Sequence, residues 1–269
     1  MKDDTPAFLY HYTSIENLAL ILSHRTIRFR QLSTLNDPLE GKNADFAYAE
    51  KLIFSSSWTA SEQDSIPMWS LYTGLKGVRI KLPTDLFNPR DEITYGKWGN
   101  GHINTASISP PLRMLMLPTE DGNQINHQFL HISGPDEVNY VDRESVGELP
   151  PVRTQTTGAG HSYENPMEGF DLSNIGLHKS EDWSFEQEWR FRIPAGIQAS
   201  ISRMSLEEYC EIMQPSRNYI DLPIRAEALQ QIEIMLGPKT TLGEEVLVRS
   251  LINTIVPSGK VTKSEIQIR

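Results

Sequence analysis

The stretch SFEQEWRFRI, residues 184–193, places two glutamates and two arginines at alternating positions. Side chains alternate across a strand, so Glu186, Glu188, Arg190 and Arg192 share one face. Phe185, Gln187, Trp189, Phe191 and Ile193 share the other. Residues two apart on a face are about 6.5–7 Å apart, so the row puts carboxylates and guanidiniums within reach of one ligand. Two readings stand side by side. A half-exposed strand would pair these charges with a neighbouring strand. A row lining a cleft would let one glutamate handle a sugar hydroxyl or a developing positive charge.

Other stretches offer partners for that chemistry. LYHYTSIENLALIL sets His11 between Tyr10 and Tyr12 just before a helix, where it either closes a strand or faces a ligand. SIPMWSLY puts Trp69 and Tyr72 three apart on one side of a short helix, a spacing that suits core packing or a stacking wall for a planar ring. In LNDPLEG, Asp37 and Glu40 read as an Asx turn before Pro38, or as metal ligands without the spaced oxygens of an EF-hand. HRTIRFR carries Arg25, Arg28 and Arg30 with no acidic residue among them, a local basic patch. His102, His127, His131, His161 and His178 read as surface residues, and Cys210 as a small buried hydrophobe. No glycine-rich phosphate loop and no GxSxG elbow is present.

The elements that must position these groups follow from periodicity. AFLYHY reads as a strand, and Thr13 with Glu16 as a capping box opening a helix with an Ile15, Leu18, Ile21, Leu22 stripe. IRFRQL is extended, and DFAYAEKLIF is a helical turn or a strand. SIPMWSLYTG is a short helix stopped by Gly74. GVRIKL is a strand with Val78, Ile80 and Leu82 inward and Arg79 and Lys81 outward. Periodicity fades over 96–135, which reads as a loop-rich insertion, and VRTQTTGAGHSYENPMEGFD reads as loop. SLEEYCEIM and LGEEVLVRSLINTI are helices, QIEIMLG a buried strand and SEIQIR a closing strand. Strands and helices mix without strict βαβ alternation, so a single α+β domain over 1–269 is expected.

With 269 residues the chain can bury a sizeable core, and 38% hydrophobic with 22% charged residues is ordinary for a globular protein. A net charge of −10 argues against a surface that wraps nucleic acid, though not against a local basic groove. The one cysteine excludes an intrachain disulfide and a cysteine-based zinc site. No run approaches a membrane span and no signal peptide is evident, so a cytoplasmic setting without membrane contact is expected.

HYTSIENLALIL, LNDPLEG, MWSLYTGLKGVRI, DWSFEQEWRF and IEIMLG, in this order and rough spacing, resemble a bacterial family: domain of unknown function number twenty-nine seventy-one. The resemblance runs from residue 9 to near the C-terminus, apart from 96–135, and implies no activity. A second resemblance is to the ADP-ribosyltransferase fold, in the branch with DNA-modifying toxins and RNA 2′-phosphotransferases. His11 and Thr13 match its opening strand, and Glu186-Gln187-Glu188 its late E-x-E strand. Ser55-Ser56-Ser57-Trp58 could stand for its middle strand.

That resemblance implies a central mixed, mostly antiparallel split sheet with flanking helices. It also implies NAD as substrate. Glu188 would hold the ribose 2′-hydroxyl, Glu186 would orient or deprotonate the acceptor, and His11 would bond the nicotinamide ribose. Tyr12, Trp69 or Tyr72 would stack on nicotinamide, beside Thr13, while Arg190 or Arg192 would contact phosphate. The Arg25, Arg28, Arg30 patch would meet a nucleic-acid or protein acceptor. The implied protein is an ADP-ribosyltransferase or NAD glycohydrolase acting as a toxin or phage-defence effector. The alternative is a non-catalytic nucleotide- or protein-binding module of a defence system.

Overall fold

A computed structural model describes, side chains included, residues 5–44, 48–87, 132–148, 172, 174–194 and 218–268. It describes the backbone alone of 93–98, 101–106, 116–118, 124–129, 153–156, 167–170 and 195–197. The strands are β1 (Phe8–Thr13), β2 (Thr26–Gln31), β3 (Ile53–Thr59), β4 (Val78–Pro83), β5 (Ile93–Trp98), β6 (Gly101–Ala106), β7 (Met116–Pro118), β8 (Gln124–Phe129) and β9 (Ser133–Glu137). After them come β10 (Asn139–Val141), β11 (Arg153–Thr156), β12 (Met167–Phe170), β13 (His178–Ser180), β14 (Glu188–Ile197), β15 (Tyr219–Pro223), β16 (Glu233–Leu236) and β17 (Lys260–Lys263). The helices are α1 (Ile15–His24), α2 (Ala49–Leu52), α3 (Ile66–Thr73), α4 (Ala226–Leu229) and α5 (Leu242–Ile255). The fold is mixed α+β, and no helix among the described residues is long and apolar enough to cross a membrane.

One mixed sheet of eleven strands dominates, with β17-β16-β4-β1-β3-β14-β8-β7 as its main path, β2 and β15 joined through β3, and β9 on β14. Among the described residues only β16 and β17 pair in parallel within it. Its pairing is uneven at one seam. β1 pairs with β4 at six positions from Phe8↔Pro83 to Thr13↔Val78, but meets β3 only at Tyr10↔Thr59. Past that point the two strands part, and the sheet opens between them.

The two faces of the sheet differ in character. Leu9, Ile27, Phe29, Phe54, Trp58, Ile80, Phe191 and Ile193 join Leu18 and Leu22 of α1 and Val248 and Ile252 of α5 in one apolar core. On the other face polar residues stand in lateral register. Asp221 is opposite Arg28 and Tyr219 opposite Arg30, Arg30 is opposite Ser55, and Ser55, Ser57 and Thr59 are opposite Arg192, Arg190 and Glu188. Because the side-chain period is two, this register sends every polar member of the row to one side.

Several local expectations shift. The α1 cap is Ser14, whose side chain accepts the Asn17 N–H at 3.1 Å, while Thr13 is still in β1; the capping pair falls one residue later than Thr13 and Glu16. Ser14→Ala should therefore lower stability by about 1 kcal/mol in urea unfolding, an effect that leaves β1 intact. Arg79 does not face solvent but is buried, its guanidinium 4.1 Å above the Tyr10 ring. The last strand is Lys260–Lys263, so SEIQIR lies beyond it. Within 96–135 the described residues are strands, including the β5–β6 hairpin and the β7–β8 pair beside β14, and β11 pairs with β12 inside the stretch read as loop. The expected helix SLEEYCEIM, with Cys210, and His131 and His161 lie outside the described residues.

Candidate functional site

The open seam forms a cleft of about 620 Å³, within the usual range for small-molecule sites. Its walls come from the end of β1, the Asn17, Leu20, Ile21 and His24 side of α1, β2 and Ser55–Thr59 of β3. Tyr72 of α3, Glu40, Lys179, Glu186, Glu188 and Arg190 also line it. His11, Tyr72 and Glu188, widely separated in the chain, therefore share one cavity.

His11 spans the seam. Its Nδ1 lies 2.9 Å from the Ser57 carbonyl, which can only accept, so Nδ1 carries the proton. The ring thus satisfies a strand carbonyl that β1 has left without a ladder partner. It also packs on Trp58 at 5.1 Å between centroids. Burial lowers its pKa, with the Ser57 bond opposing, so the imidazole is neutral near pH 7. In that tautomer Nε2 is an acceptor.

The floor is ionic. The carboxylate row is not one continuous strand: Glu181–Glu186 forms a 3-10 helix and Gln187 takes left-handed backbone at φ 44°, so β14 starts at Glu188. Nor is the charged face half-exposed. Glu186, Glu188 and Arg190 are 2%, 3% and 0% exposed. Arg190 Nε and Nη2 each lie 2.7 Å from a Glu188 oxygen, and Nη1 donates to the Gly176 carbonyl at 2.7 Å. The same guanidinium meets Glu40. Lys179 Nζ bridges Glu186 at 2.5 Å and Glu188 at 3.1 Å. Tyr72 donates its hydroxyl to the other Glu186 oxygen. Tyr140 accepts the Glu188 N–H through its hydroxyl at 2.9 Å.

These contacts set the two glutamates apart. Burial alone would raise Glu188, but Arg190 and Lys179 outweigh it and bring its pKa down to about 2. Glu186, buried and beside the Glu188 charge, is pushed up to about 7 despite Lys179 and Tyr72. Lys179 is desolvated too, yet Glu188 and Glu40 hold its pKa above the ordinary value, so it stays an ammonium. One carboxylate is held charged at neutral pH and its neighbour is pushed toward neutrality, the separation expected of acid and base roles.

Other site candidates fall differently. Trp69 is fully buried, with Nε1 donating to Asp64 at 2.7 Å and Tyr12 edge-on at 4.8 Å; it does not line the cleft and cannot stack on a ligand there. Tyr12 and Thr13 reach the lining, but the Tyr12 ring is buried against Trp69 and Met68. Arg190 has its donors engaged within the floor, so it positions Glu188 and is not available to a phosphate. Arg192 is spent likewise on the Ile175 carbonyl and Asp136. The basic patch divides. Arg28 and Arg30 line the cleft and Arg25 does not; Arg28 makes a two-pronged pair with Asp221 at 2.8 Å. Arg30 makes no ion pair among the described residues. Asp37 forms the Asx turn, accepting the Leu39 N–H at 2.9 Å. Among the described residues no cluster of His, Cys, Asp or Glu is arranged to hold a metal ion. His178 is half-buried on β13.

Lys179 and Tyr140 were not singled out by sequence reasoning, and Glu40 was read only within its loop, as part of a turn or as a metal ligand. No periodicity marks them, because each reaches the floor from a separate segment. No family model matches the chain, and no curated protein or solved structure matches it.

Proposed function

We propose that the cleft binds NAD and breaks its nicotinamide–ribose bond, passing ADP-ribose to a nucleic-acid or protein acceptor or to water. The convergence of His11, Tyr72 and Glu188 on one cavity is the observation that carries this reading. The opening of the sheet at the β1–β3 seam agrees with the split sheet of an ADP-ribosyltransferase-like fold. In this reading His11 Nε2 accepts a hydroxyl of the nicotinamide ribose. Glu188 holds the 2′-hydroxyl and faces the positive charge that develops on the sugar. Tyr72 forms a wall of the nicotinamide pocket. Arg30, a guanidinium of the lining without an ion pair among the described residues, takes the phosphate contact expected of Arg190.

The electron pair of the broken C1′–N bond passes to the nicotinamide nitrogen. The acceptor's oxygen or nitrogen bonds C1′ and releases one proton. A toxin or phage-defence effector is the setting this chemistry suits.

A non-catalytic nucleotide- or protein-binding module is the second reading. It is favoured by the engagement of both Glu188 oxygens with Arg190 and Lys179. Incubating the protein with labelled NAD and bacterial extract decides between them. Nicotinamide release, with or without a labelled macromolecule, is the expected result. Saturable NAD binding with no release would leave only the module, and no binding would end both NAD readings.

A further inference from the structure

We propose that Tyr72, Glu186 and Lys179 form a proton-holding unit on the cleft floor that exchanges one proton with the ligand group bound above it. The identity of that ligand rests on the NAD reading; the unit itself does not.

Glu40, Glu186 and Glu188 face Lys179 and Arg190, and all five side chains are at most 5% exposed. Three carboxylates against two cations leave one negative charge too many in a site shielded from water, and a bound proton removes it.

Contact geometry says where the proton sits. Arg190 grips Glu188 with two donors and also meets Glu40. Among the described residues Glu186 has no guanidinium partner, and its one cation, Lys179, is shared with Glu188. Its remaining oxygen meets Tyr72, whose hydroxyl donates to the carboxylate and can turn to accept from the acid. That pair accommodates either protonation state without losing a hydrogen bond. Tyr140 of β10 faces the same floor and, raised above its ordinary pKa by burial, stays a neutral hydroxyl. Burial also raises Glu40, with Arg190 pulling against it, so Glu40 is the competing holder. Glu186 lines the cavity, so its carboxylate can take the proton an acceptor hydroxyl or amine releases as it bonds C1′.

Glutamate-selective carbon-13 NMR of the folded protein tests this without any activity. The expected result is one carboxyl resonance titrating at about 7, absent in Glu186→Gln. Its midpoint should rise by about one pH unit in Tyr72→Phe, which loses a donor to the charged form, and fall by about as much in Glu188→Gln, which loses a like charge. A wild type with no glutamate titrating near neutrality overturns the unit. So does a titration that survives Glu186→Gln and vanishes in Glu40→Gln.

Calorimetry of ADP-ribose in two buffers of different ionisation heat tests the exchange. A fractional proton taken up or released per ligand near pH 7, lost in Glu186→Gln, is expected. Binding with no proton change overturns the exchange while the NAD reading stands. If ADP-ribose does not bind, the NAD reading fails and the NMR titration still judges the unit.

Discussion

Replacing Arg190 with methionine lowers the unfolding free energy by about 3–5 kcal/mol, read as a reduced urea midpoint at unchanged slope. The side chain is entirely buried and holds together three segments: the Glu40 loop, the Gly176 turn and the start of β14. Methionine fills much of the volume, so the loss comes from the partners. Glu188 and Glu40 would face a site where Lys179 is the remaining cation, and the Gly176 carbonyl would lose its donor. The exposed pair Arg143–Asp182, at 73% and 54% side-chain exposure, is the control; solvent screens it, so breaking it should leave the urea midpoint nearly unchanged. The pH dependence carries a sign. Glu188 is depressed from 4.5 to about 2, so its share of stability is present above 4.5 and is lost as pH falls toward 2. Without Arg190 that loss moves to higher pH. A variant as stable as wild type across this range would mean that the floor pairs contribute nothing net.

The α+β class and most of the strands around the cleft were legible because their patterns are local. IRFRQL, GVRIKL and QIEIMLG alternate, and the helices carry stripes at helical spacing. What lay beyond reach is non-local or conformational. Alternation in SFEQEWRFRI ran unbroken through Gln187, and nothing in a glutamine announces left-handed backbone. The sequence left the charged face open between a half-exposed strand and a cleft lining, because the segments that cover it, around Glu40 and Gly176, lie far away in sequence. Arg79 was misjudged for a related reason: strand alternation shows which side a residue takes, not whether Tyr10 and the 62–65 segment close over it. For His11 the position was legible and its use was not. Only the parted strands show that one ring nitrogen closes the seam while the other is left as an acceptor. The two readings of that histidine are compatible, since the structural bond fixes the tautomer the functional one needs.

Glu188→Gln should reduce NAD cleavage by about 10²–10³-fold, a size typical of losing one preorganised electrostatic contact to the transition state. Glutamine keeps the shape and an oxygen for Arg190 or a ribose hydroxyl, so ADP-ribose affinity should change only a few-fold. The difference between those two effects is the diagnostic quantity. Removing the carboxylate charge does more than delete one attraction: Lys179 and Arg190, now less compensated, make the floor more positive where the sugar acquires positive charge. Binding of the neutral ribose feels this little, whereas the transition state feels it fully, so kcat falls far more than affinity. The binding-module reading expects the reverse: no turnover in wild type and a variant that differs only in affinity. Nicotinamide release and ADP-ribose calorimetry on the same folded preparation separate the outcomes. Full cleavage activity in Glu188→Gln would take Glu188 out of the chemistry and leave Glu186 and Glu40 as the cleft glutamates to test for it.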